Sequence, residues 1–208
     1  MELSSAQNTS ASAAGRRALK SAALDLLSAL ETDVEDLLMT AFESANTMTE
    51  QMAALDALGA SGAAAFDEAL AQFHKRWSGS PVVMDKWFSS QAAAPRADAM
   101  ARIKKLRAHP DFDIKNPNRV RSLVMSLATR NPRAFHAADG SGYHFLAGLA
   151  GEVDPLNPAL AARLLTPFES WRRFDSQRQE HARKALEHLA SLPQLSKNTR
   201  EMVERTLA

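Results

Sequence analysis

In a chain without cysteine, the six histidines are the first place to look for metal or acid–base chemistry. A zinc hydrolase helix needs His-Glu-x-x-His, which sets two imidazoles on one face with a carboxylate beside the metal-bound water. None of the six histidines is followed by Glu. His181 and His188 lie two turns apart on one helical stretch, and they read as surface histidines. His136, Asp139, Ser141 and His144 crowd into one short segment and invite a triad. Gly140-Ser141-Gly142 is not the Gly-x-Ser-x-Gly elbow, however, and no strand precedes it, so turn formation is the better account. Gly59 and Gly62 lack both the spacing and the strand of a phosphate-cradling loop. No catalytic residue and no metal ligand is assigned.

Arginine is the more informative residue type. Arg119, Arg121, Arg130, Arg133 and Arg163 gather around three Asn-Pro dipeptides, Asn116-Pro117, Asn131-Pro132 and Asn157-Pro158. Asn offers an N-cap oxygen, and Pro fits the first helical position, where a missing N–H costs nothing. If such helices pack side by side, their equivalent ends lie along one edge and can present several guanidinium groups to a carboxylate. A solvated basic face with scattered ion pairs is the alternative. Residues 1–104 hold 9 Lys and Arg against 13 Asp and Glu, and residues 105–208 hold 16 against 11, so the positive charge sits in the second half. The aromatic residues lie on apolar stripes, where bases could not stack, which speaks against a nucleic-acid partner.

The elements that must position these side chains are helices. Of the 208 residues 45% are hydrophobic and 24% charged, an ordinary globular balance. There is a single Tyr, Ile and Val are few, and almost no run alternates, so a sheet has little to be made of. Behind Asn116-Pro117, Val120, Leu123, Val124 and Leu127 recur at i, i+3, i+4 and i+7, one buried stripe of a helix. Leu19, Ala23, Leu26, Leu27 and Leu30 predict a similar stripe over 11–30. Val34, Leu37, Leu38 and Phe42 predict another, and Thr47 to Glu50 forms a capping box for a helix that Gly59 would end. Phe66, Leu70, Phe73 and Trp77, then Val83, Trp87 and Phe88, then Met100, Ile103 and Leu106 continue the series. After Pro132, helices follow at 143–150, from Pro158, from Asp175 to Pro193, and on to Leu207.

Short helices with one apolar face each must bury that face against their sequence neighbours. The expected fold is therefore all-α: an armadillo- or HEAT-like α-solenoid of about eleven or twelve helices without a sheet. Residues 1–12 read as a flexible lead-in and 13–208 as a single helical-repeat domain. No apolar run reaches the roughly 18 to 20 residues a membrane helix requires, so a soluble protein without a membrane partner is expected. The missing cysteines and the absence of a secretory leader pattern suit the cytoplasm.

Four motifs go further: Val83-Met84-Asp85-Lys86-Trp87-Phe88, Asn116 to Leu123, Phe135 to Tyr143, and Asp175 to Glu180. In this order they resemble the C-terminal region of the bacterial aminopeptidase N family, zinc aminopeptidases of the gluzincin class. The catalytic His-Glu-x-x-His, the further Glu ligand and the Gly-Ala-Met-Glu-Asn segment of that family do not occur here. What the resemblance implies is the noncatalytic helical domain that covers the active site and lines the substrate chamber. By itself the chain would then be inactive and without a cofactor. Zinc would sit in the parent enzyme, and the partners would be its catalytic domain and peptide substrates. The family's channel arginines match Arg121 and Arg163, with Arg119 as their neighbour. A free-standing helical-repeat scaffold that binds a protein is the other reading.

Overall fold

The computed structural model describes residues 10–30 and 32–208. The described residues form twelve α-helices, one 3-10 helix and no strand. They cluster into two compact units, Met1–Ala97 and Asp98–Ala208. Most of the stretch read as a lead-in, 1–9, lies outside the described residues. Ser10 already caps a helix, its side chain accepting from the Ala13 N–H, so helix starts at Ala11, inside that stretch.

The first unit contains α1 (Ala11–Ser28), α2 (Glu35–Glu43), α3 (Met48–Ser61), α4 (Ala65–Trp77) and α5 (Pro81–Ala93). α3 is its centre, packing against each of the other four. The capping box forms: Thr47 accepts from the Glu50 N–H at 3.2 Å, and the Glu50 carboxylate reaches back to the Asn46 N–H. Two expectations fail here for tertiary reasons. Gly59 does not end α3; it lies inside the helix, buried, where a Cβ would come within 3.0 Å of the Phe66 ring. The stop is Gly62, whose φ of 78° is left-handed backbone that glycine adopts without strain.

The stripe predicted for α1 is turned the other way. Leu19, Leu26 and Leu30 are exposed, as is Leu37 of α2, while Ala13, Leu24 and Ser28 are buried. Periodicity finds a helical face, but contact with α3 selects the adjacent one. A further device is invisible in sequence spacing. The Glu35 carboxylate at the start of α2 accepts from the Ala64 and Ala65 N–H groups, both at 3.0 Å, and so caps α4 from a distance.

The second unit contains α6 (Ala99–Arg107), α7 (Pro117–Arg130), α8 (Pro132–Phe135), α9 (Ser141–Val153), α10 (Pro158–Leu164), the 3-10 helix Thr166–Arg173, α11 (Ser176–Ala190) and α12 (Lys197–Leu207). The Asn-Pro device works three times. Asn116 accepts from the Asn118 and Arg119 N–H groups, Asn131 from Ala134 and Asn157 from Leu160. Each helix packs on near neighbours in sequence: α6 and α8 on α7, α8 and α10 on α9, and α11 on α9 and α12. Val120, Leu123, Val124 and Leu127 are fully buried in this core. No described helix is long and apolar enough to cross a membrane.

The Phe135–Tyr143 turn holds no triad. Asp139 accepts from the Ser141 N–H at 2.9 Å, which is turn chemistry, and His136 Nδ1 pairs with the Tyr143 hydroxyl at 2.8 Å while its ring stacks on Phe174. Gly142 fixes the approach, because a Cβ there would lie 2.3 Å from the Phe135 carbonyl oxygen. Backbone cannot swing aside as a side chain can. Gly142→Ala is expected to destabilise the second unit by about 1–3 kcal/mol, the usual range of overpacking. Urea unfolding measures this, and a change under about 0.3 kcal/mol would show that the turn yields.

A candidate carboxylate pocket on the second unit

The stripe that buries α7 also decides where its polar residues go. Val120, Leu123, Val124 and Leu127 face the core, which leaves Arg121 and Met125, one turn apart, along the edge of that face. On α10, Leu160, Arg163 and Leu164 share an edge by the same spacing. α7 and α10 are in contact, and these five side chains line one pocket of about 140 Å³. Its floor is apolar. Leu160 and Leu164 are buried and Met125 is half-buried, while Arg121 and Arg163 are exposed.

The two arginines are free for a ligand. Arg121 donates to the Asn118 side-chain oxygen at 2.7 Å, a neutral partner one turn back on its own helix. The Arg163 backbone carbonyl accepts from the Thr166 hydroxyl. Among the described residues neither guanidinium has a carboxylate within 4.0 Å. Two unneutralised guanidinium groups beside low-dielectric apolar surface make a local positive potential, and a carboxylate is the partner their planar forks fit. The lining offers no His, Asp or Glu to a metal ion.

The third predicted arginine does not join them. Arg119 is only 5% exposed, and its guanidinium donates to the Asp111 carbonyl, which ties the 108–116 loop onto α7. Arg130 and Arg133, at the end of α7 and in α8, are exposed outside the pocket lining. Nothing in the local sequence separates Arg119 from Arg121. Two residues apart on a helix they point about 200° apart, and only the course of the 108–116 loop determines which one is covered. Missed altogether was the apolar floor, because Met125 and Leu160 come from different helices.

Short helices stacked on their sequence neighbours define an armadillo-type helical repeat. The chain belongs to the DUF3458_C family, described as a domain of unknown function with ARM repeats, whose model matches residues 1–208. It is 40% identical over 209 residues to aminopeptidase N of Caulobacter vibrioides, a match that covers all of this chain and 24% of that protein. It is likewise 40% identical to aminopeptidase N of Escherichia coli over 194 residues, 93% of this chain and 22% of that one. Among solved structures it is similar to Legionella pneumophila aminopeptidase A in complex with aspartic acid. The TM-score is 0.85 at 35% identity, and the match covers 93% of this chain and 23% of that one. The chain thus spans about a quarter of the length of these relatives and corresponds to the C-terminal part of aminopeptidase N.

Proposed function

We propose that this chain is the noncatalytic helical domain of a cytoplasmic, zinc-dependent aminopeptidase, where it covers the active site and lines the substrate chamber. The observation that carries the reading is the pocket of Arg121 and Arg163, two guanidinium groups without carboxylate partners. In a chamber wall, fixed positive charge of this kind draws in a peptide by its C-terminal carboxylate and holds it for cleavage elsewhere. Arg119 serves the wall differently, as the tie that keeps the neighbouring loop in place. In this reading zinc belongs to the catalytic part, because none of the histidines here stands in a His-Glu-x-x-His.

Two measurements test this reading. The chain by itself is expected to leave a chromogenic aminoacyl substrate uncleaved, with or without added zinc. Turnover abolished by a chelator would overturn the noncatalytic assignment. In the longer polypeptide that carries this chain, Arg121→Ala and Arg163→Ala are expected to lower kcat/KM by about tenfold for peptides with a free C-terminal carboxylate, the worth of one lost charge-assisted hydrogen bond. Neutral aminoacyl amides should be hydrolysed nearly as before. Equal losses on both substrate types would remove the chamber role.

A further inference from the structure

We infer that the Arg121–Arg163 pocket is a specificity subsite for a peptide whose C-terminal residue is bulky and apolar. The inference rests on the carboxylate reading above and goes beyond it by assigning the side chain as well as the charge. Electrostatic attraction alone would need only the two guanidinium groups. Here they stand over a floor of Met125, Leu160 and Leu164, so the same depression that offers hydrogen-bond donors for an anion offers apolar surface beside them.

Size limits the occupant. A volume of about 140 Å³ falls well short of the roughly 300 Å³ at which pockets begin to accept drug-sized ligands. The room is for one side chain and its carboxylate.

Charge narrows it again. None of the five lining residues is acidic, so nothing there would accept the α-ammonium of a free amino acid, which would instead meet two guanidinium groups. In a peptide the corresponding nitrogen is a neutral amide, and the chain can leave through the open mouth on which both arginines are exposed. Met125 suits a subsite that takes several apolar side chains, because an unbranched thioether repacks easily around different shapes.

The test is a titration of the chain, its methionine and leucine methyl groups labelled for NMR, with four small probes. N-acetyl-leucine is expected to give saturable shifts centred on Met125, Leu160 and Leu164. N-acetylglycine lacks the side chain and should bind about tenfold more weakly. N-acetyl-leucinamide lacks the charge and should lose about as much, and free leucine should also bind more weakly than its acetylated form. Arg121→Ala and Arg163→Ala should each weaken N-acetyl-leucine about tenfold, with Arg121→Lys in between because charge stays while the planar fork is lost. Both arginines are exposed, so unchanged methyl spectra of the free variants verify their fold. The subsite is overturned if no probe binds at these methyl groups, if N-acetylglycine matches N-acetyl-leucine, or if the amide matches the acid. Equal binding of free leucine would overturn the peptide assignment. The titration reads binding to this chain alone, whereas the chamber role is read by kinetics of the longer polypeptide, so either can fail without the other.

Discussion

Replacing Asp154 by Ala is expected to cost about 2–4 kcal/mol, a large loss for a single polar side chain that touches no ion-pair partner. Asp154 is 2% exposed at the end of α9, and its carboxylate serves the start of α12, forty-two residues on. It accepts from the Ser196 N–H at 2.7 Å and from the hydroxyls of Ser196 and Thr199. Removing it strands those donors in a nearly dry site, where Thr199 is fully buried. Burial works against the charged form of this carboxyl, but the bonds from Ser196 and Thr199 together outweigh it and hold the group below its ordinary pKa of 3.8. A pKa depressed by folding adds stability that is fully present above 3.8 and lost as pH falls through the folded value. Urea midpoints measured down through that window should therefore fall more steeply for the native chain than for Asp154→Asn. Parallel pH profiles, or a loss under about 1 kcal/mol in Asp154→Ala, would mean that water replaces the carboxylate.

Leu123→Ala is expected to destabilise by about 2–5 kcal/mol. The cost of a cavity depends on how far its walls can collapse, and Leu123 lies at 0% exposure on a helix that packs against α6, α8, α9 and α10. Walls held from several sides relax little, which places the expectation in the upper half of that range. The matched control is Leu26→Ala on α1. Both leucines sit on apolar stripes of helical period, but Leu26 is 72% exposed, so its truncation should change stability by no more than about 0.5 kcal/mol. Comparable losses at the two positions would show that the outward face of α1 is buried in solution.

That pair also separates what can be read in the residue order from what cannot. The helices and most of their ends were legible because their causes are local. An Asn side chain caps an N–H two or three residues on, Pro fixes its own φ, and Thr47 answers Glu50 within one turn. The absence of a sheet among the described residues was legible for the same reason, since too few β-branched residues alternate anywhere. Arg121 and Arg163 stand out only through a resemblance, since spacing alone does not separate them from Arg119, Arg130 and Arg133. What only the tertiary structure decided are the choices between equally good local options. α1 turns Leu19 and Leu26 outward, and packing on α3 buries the mixed face containing Leu24 and Ser28. Gly59 could have ended a helix, but the Phe66 ring needs its missing Cβ. Arg119 turns to the Asp111 carbonyl, while Arg121 is left to a pocket whose other wall, Leu160 to Leu164, comes from a different helix. Local hydrogen bonds and dihedral limits are settled within four residues of chain, whereas burial and pocket lining depend on which distant surfaces meet.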